Sequence, residues 1–191
     1  MLVREELRVE MNKIFVTGPP GSGKSTVVSK AVEYAVSIGL GVHGFYTPEV
    51  RRGGYRIGFD ILATSGERVE LARKNYRFHG GLRLKSYSIN PGAGQFIKKV
   101  IEEGLLNPNV NLLVIDEIGP MELFFREARD SFIKALEGGK PVIGVIHRNL
   151  PRIDPQLYNL ASRYRIIDVK REGFDKTLDA LKQFINRIAG R

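Results

Sequence analysis

Gly18-Pro19-Pro20-Gly21-Ser22-Gly23-Lys24-Ser25-Thr26 fits the pattern G-x-x-x-x-G-K-S/T without a mismatch. Its flanks are those the pattern requires. Upstream, Lys13-Ile14-Phe15-Val16-Thr17 is a short apolar run rich in β-branched residues, which predicts a buried strand. Downstream, Val27, Val28, Ala31, Val32, Ala35 and Val36 recur at helical spacing as far as a stop at Gly39. Strand, glycine loop and helix are the parts of a phosphate cradle. Gly18, Gly21 and Gly23 can take backbone angles closed to other residues, while Pro19 and Pro20 have no N–H and stiffen the entry. The donors to phosphate are then the amides from Gly21 to Thr26, at a helix N-terminus. In such a cradle Lys24 reaches the β- and γ-phosphates and the Ser25 hydroxyl takes a Mg²⁺ ion. The ligand this implies is a nucleoside triphosphate.

The chain has 191 residues, enough for a substantial core, and reads as one domain spanning 1–191. Its 42% hydrophobic and 27% charged residues suit a soluble globular protein, and no apolar run has bilayer length. The first ten residues alternate charged and apolar side chains, unlike a secretory signal, so a cytoplasmic location is expected. Cysteine is absent, which excludes disulfides, thiolate catalysis and Cys-based metal sites. Thirty Lys and Arg against 21 Asp and Glu give a formal charge of +9. That balance suits polyanionic partners, nucleotides first and nucleic acid as an open possibility. No block of five consecutive basic residues occurs.

Past the first helix, Gly44–Val50, Tyr55–Ala63 and Arg68–Ala72 read as strands. Arg51-Arg52-Gly53-Gly54 and Thr64-Ser65-Gly66-Glu67 between them are hairpin turn chemistry. An antiparallel insertion over about 44–72 is therefore expected on one edge of a parallel sheet. Residues 73–90 have no firm period. A helix follows from Ala93 to Glu103, stopping at Gly104. Asn111–Asp116 is a near-continuous apolar strand, such as a parallel sheet buries on both faces. Phe125–Glu137 reads as a helix, Pro141–His147 and Tyr164–Val169 as strands, and Phe174–Ile188 as the last helix. The alternation predicts a three-layer α/β/α fold with a mostly parallel central sheet and right-handed crossovers.

Asp116 ends its strand at the carboxyl edge, where an open α/β sheet presents ligands. A carboxylate there can hold the Mg²⁺ that Ser25 touches, which is the Walker B role. Glu117, directly after it, is placed to orient and deprotonate a water attacking the γ-phosphorus. His147 and Asn149, just past the strand ending at Ile146, could sense the γ-phosphate if that strand lies beside the Walker B strand. Glu122, Arg126 and Arg129 are read as rimming the site, and Arg126, Arg129, Arg51, Arg52, Arg56, Arg148 and Arg152 as possible transition-state cations, none singled out by the sequence.

With both motifs quoted, the chain resembles a known family, the small P-loop nucleoside-triphosphatases of thermophiles and animals, the animal members being called cancer-related nucleoside-triphosphatases. The P-loop is shared with many families. More specific are Gly44-Phe45-Tyr46-Thr47-Pro48-Glu49-Val50-Arg51, with Gly54, Arg56, Gly58, Phe59 and Ile61, and Val114-Ile115-Asp116-Glu117-Ile118-Gly119-Pro120-Met121-Glu122-Leu123. The resemblance implies a RecA-like core. It also implies Mg²⁺-dependent hydrolysis of nucleoside triphosphates with loose base preference, and Gly119 among the residues at the nucleotide. Residues 79–90 and Lys170-Arg171-Glu172-Gly173 depart from the family pattern.

Two other readings compete with hydrolysis. A small-molecule kinase shares the P-loop and the size, but needs an Arg-rich lid and has less use for Glu117. A nucleotide-switched nucleic-acid-binding protein would use the positive charge, and predicts salt-dependent polynucleotide binding.

Overall fold

The computed structural model describes residues 12–191; the charged lead-in read from residues 1–11 lies outside them. Strand β1 (Lys13–Thr17) runs into the glycine loop and helix α1 (Lys24–Ser37). Its alternate residues serve both faces. Ile14 and Val16 pack toward α1, Phe15 toward the opposite layer, and all three are buried. That two-sided burial is why the segment reads as an unbroken apolar run.

Four more strands continue the parallel part: β2 (Val42–Tyr46), β8 (Leu112–Ile118), β9 (Val142–Ile146) and β10 (Arg165–Asp168). Between β2 and β8 come β3 (Glu49–Arg52), β4 (Tyr55–Ala63), β5 (Arg68–Lys74), β6 (Leu82–Leu84) and β7 (Tyr87–Ile89). Among the described residues these strands form one sheet, ordered β10-β1-β9-β8-β2-β4-β5-β7-β6, with β3 paired to β4. Strand β2 is the seam, parallel to β8 and antiparallel to β4. Strand β9 lies between β1 and β8, so its end sits between the ends of the two motif strands.

Helices α1 and α7 (Phe174–Ile188) cover one face around Val28, Val114, Leu181 and Phe184. Helices α2 (Ala93–Leu106), α3 (Arg126–Glu137) and α5 (Pro155–Ala161) cover the other around Phe45, Ile97, Phe132 and Leu157. Helices α4 (Leu150–Ile153) and α6 (Val169–Glu172) are single turns.

The three-layer architecture and the antiparallel insertion agree with the sequence reading, and several boundaries do not. The strand expected over Gly44–Val50 is two strands, β2 and β3, parted at Thr47-Pro48. Proline cannot donate to a ladder, so the chain leaves β8 there and turns outward. Helix α2 passes through Gly104 to Leu106, because Gly104 is buried where a Cβ would lie 2.6 Å from Leu113. That glycine is a packing residue and not a stop. Val36 is 58% exposed and not on the buried face of α1. The strand expected over Tyr164–Val169 is shorter, since Asp168 accepts from the amides of Lys170 and Arg171 and starts α6. Residues 73–90 hold the end of β5 and the β6–β7 hairpin, and residues 150–161 hold α4 and α5.

Candidate active site

The glycine loop sits between the end of β1 and the start of α1. Gly23 takes the left-handed conformation, φ 86°, immediately before Lys24, and no side chain caps the helix. A Cβ on Gly23 would lie 3.3 Å from the Phe174 ring, so the loop is also held close to α7. The uncapped amides are free to face an anion. Lys24 Nζ donates to the Pro19 carbonyl at 3.0 Å, folding its stem across the loop. Pro19 and Pro20 thus frame the loop's entry, and Pro19 also accepts from the Ser22 amide. Thr17 Oγ1 donates to the Ile146 carbonyl at 2.9 Å, tying the end of β1 to the end of β9.

Ser25 and Asp116 meet. The Ser25 hydroxyl donates to Asp116 Oδ1 at 3.2 Å, across 91 positions of sequence. Thr47 Oγ1, from just past β2, donates to the Asp116 carbonyl at 2.6 Å and fixes the strand end from the other side. Asp116 is buried, and Glu117 follows through a cis peptide. Gly119 then packs against three groups at once. A Cβ there would stand 3.0 Å from Glu117 Oε1, 3.1 Å from Glu122 Oε2 and 3.4 Å from His147 Cβ. These distances place Glu117, Glu122 and His147 around one small residue, and the His147 amide donates to the Ile118 carbonyl at 3.0 Å.

Electrostatics follow from that crowding. Burial pushes Asp116 up to about 6, although the Ser25 hydrogen bond and the Lys24 charge pull it down. Burial, then the Asp116 charge, raises Glu117 to about 7. Burial, then the Glu117 charge, raises Glu122 to about 8. Burial lowers His147, as do the charges of Lys24, Arg148 and Lys85. Its Nδ1 accepts from the Asn149 amide at 3.2 Å, so in the neutral ring Nε2 carries the proton and is a donor.

Hard oxygen donors at Ser25 and Asp116, beside a loop that presents amides, fit a Mg²⁺ ion shared with phosphate oxygens. Among the described residues no three His, Cys, Asp or Glu side chains group as a metal site. Mg²⁺ in nucleotide sites needs no such cage, because one or two protein oxygens complete a shell of water and phosphate.

The arrangement brings together Lys24, Ser25, Asp116, Glu117, Gly119 and His147. Several of the basic candidates are ion-paired. Arg51 and Arg56 both bind Glu49, each at 2.6 Å, and Arg129 is held by Asp154. Glu122 is beneath the site and not on its rim, 4% exposed. Sequence reasoning did not assign roles to Thr47 or to Glu122 in its buried place. For Thr47 the available signal was a hydroxyl at the carboxyl edge of β2; for Glu122 it was an acid amid Met121, Leu123 and Phe124. An open cleft of about 610 Å³ adjoins the loop, lined by Gly18, Pro19, His147, Arg148, Tyr158 and Lys170.

A family model described as NTPase matches residues 13–181. The chain belongs to this family. A nucleoside-triphosphatase THEP1 of Ignicoccus hospitalis is 36% identical over 173 residues, covering 88% of this chain and 96% of that protein. The Homo sapiens cancer-related nucleoside-triphosphatase is 43% identical over 117 residues, 58% of this chain and 62% of that one. Two solved family structures superpose. The crystal structure of THEP1 from Aquifex aeolicus gives a TM-score of 0.75 at 28% identity, over 92% of this chain and 99% of that one. The solution structure of a human cancer-related nucleoside triphosphatase gives 0.76 at 30%, over 92% and 98%. The family thus shares this chain's mixed sheet, with its parallel part flanked by helices on both sides.

Proposed function

We propose that this chain, acting as one domain, hydrolyses nucleoside triphosphates to diphosphates and phosphate, with Mg²⁺ and with little discrimination between bases. The observation that carries the reading is the meeting of Ser25 with Asp116 and, one residue on, a half-buried Glu117 on which the charges of Asp116 and Lys24 both act. In this reading the amides of Gly21 to Thr26 hold the β-phosphate and Lys24 leaves Pro19 for the γ-phosphate. Ser25 and Asp116 would hold a Mg²⁺ ion, which would supply positive charge at the phosphates. Glu117 orients the attacking water and takes its proton. His147, neutral and with Nε2–H as donor, meets a γ-oxygen or that water. Loose base preference is supported by a loop that contacts phosphate through backbone and so reads no base.

A kinase keeps water from the γ-phosphate, whereas Glu117 has a carboxyl group suited to activating it. A cytoplasmic location is supported by the absence of cysteine, and among the described residues no helix is long and apolar enough to cross a membrane.

Phosphate release with MgATP, MgGTP, MgCTP and MgUTP, with chromatography of all products, tests the proposal. The expected result is free phosphate equal to diphosphate for each base, with no acceptor added. Glu117→Gln should keep triphosphate binding and lose about a hundredfold or more in kcat. Phosphate transferred to an added nucleoside or monophosphate, with none released, would overturn the hydrolase reading.

A further inference from the structure

Hydrolysis needs positive charge where the γ-phosphate develops its transition-state charge, beyond what the loop lysine provides. Most nearby arginines are already engaged. Glu49 holds Arg51 and Arg56, Asp60 holds Arg68 and Arg73, and Asp154 holds Arg129. Arg126 lies 3.7 Å from Asp130 on the outer side of α3.

The insertion offers a cation from another direction. Tyr46 pairs with Asp116 and with Leu62, so β4 traced backward from Leu62 runs outward past the catalytic edge. Gly58 pairs with Arg73, and Lys74 and Leu84 both pair with Tyr87. The β6–β7 turn, Lys85-Ser86, therefore projects beyond the same edge as the phosphate loop. It also curls toward the site. Tyr87 and Leu84, on either side of the turn, pack in the cluster that contains Met121, Phe124 and Phe125, which follow Gly119 in the chain. The Lys85 charge bears on His147, together with Lys24 and Arg148.

Lys85 has a second distinction. Its φ is +54°, and among non-glycine residues described only Asn75 shares that region. Asparagine visits it more readily than lysine does, so a glycine would make this turn with less strain. Strained positions of this kind mark functional sites when the side chain is needed. Lys85 is exposed and pairs with no carboxylate among the described residues.

We propose that Lys85, carried on the β6–β7 turn, is the catalytic cation that meets the γ-phosphate oxygens in the transition state. The proposal rests on the hydrolase reading above. As the water oxygen bonds to the γ-phosphorus, the bond from phosphorus to the bridging oxygen breaks. Its electron pair leaves with the diphosphate and the water proton passes to Glu117. Charge spreads over the γ-oxygens and the bridging oxygen, and Lys85 Nζ offsets it within one chain. Arg148 is the competing cation: it lines the cleft beside the loop with His147, and the variants below separate the two.

Lys85→Gly is the decisive variant, because it removes the charge and relieves the backbone. The expected result is a raised Tm with kcat lowered about tenfold to a hundredfold and KM within about twofold. Lys85→Arg should retain most of the rate, and Arg148→Ala should lower kcat less than Lys85→Gly does. Binding of diphosphate with aluminium fluoride, a mimic of the planar phosphoryl group, should weaken in Lys85→Gly as kcat does, while diphosphate alone binds unchanged. Wild-type kcat in Lys85→Gly overturns the proposal, as does a loss confined to Arg148→Ala or unaltered aluminium fluoride binding. A wild type that releases no phosphate refutes the hydrolase reading instead, and the aluminium fluoride comparison still decides Lys85.

Discussion

The parallel strands β10, β1, β9 and β8 are covered by helices on both faces, whereas the antiparallel strands β3 to β6 keep much of their surface in water. Tyr55 is 81% exposed and Leu82 53%, while Phe15, Val16, Val114 and Ile143 are at 0%. The two regions are held together differently. Apolar side chains from two faces fix the parallel half, and the insertion depends more on charge pairs such as Asp60 with Arg68 and Arg73. They share strand β2, the hydrogen bond from Thr47 to the Asp116 carbonyl, the pairing of Lys99 on α2 with Glu67, and a core in which Ile61 and Leu71 join Ile97. The lesson is a division of labour: the buried half sets the geometry of the phosphate site, and the wetter half can change its surface without disturbing that geometry.

Substitutions can sharpen or break this contrast. The largest effect belongs at the loop: Lys24→Ala should lower turnover about a thousandfold or more and weaken triphosphate binding, read by phosphate release and titration calorimetry. Equal turnover would remove the loop from the chemistry. Next, Phe184→Ala, under the parallel half, should lower unfolding free energy by about 3–5 kcal/mol in a urea titration. Asp60→Asn, inside the insertion, should cost about 1–3 kcal/mol, because Arg73 then loses a charged partner. If it cost more than Phe184→Ala, the insertion and not the helix-covered half would be the stability-determining part. The smallest effect is expected for Tyr55→Ser at the hairpin tip, within about 0.5 kcal/mol by the same titration.

The parts legible in the sequence are those where one physical signal dominates. The loop announces itself because a phosphate cradle admits few residue types, and Asp116 because a doubly covered strand is apolar up to its functional end. The β6–β7 hairpin was not legible. Three-residue strands such as Leu82–Leu84 are too short to show a period, and their partners are set by the curl of the sheet. Helices α4 and α5 were missed for a related reason, as Pro151 and Pro155 look like loop residues although proline suits a first helical turn. Glu122 was placed on a rim because carboxylates usually face water; only the packing around Gly119 shows it inside. Gly104 was misread because a glycine that ends a helix and one that lets a helix approach a strand look alike in sequence.

The position of β1 has a consequence for how the protein is made. Its ladder partners are Val142–Val145 on one side and Arg165–Asp168 on the other. Both strands that brace the base of the phosphate-binding loop are translated well after the loop itself. Contacts so distant in sequence form late. The nascent chain therefore carries its nucleotide motif without the sheet that shapes it until β9 and β10 have followed, and competence to bind waits on those two strands.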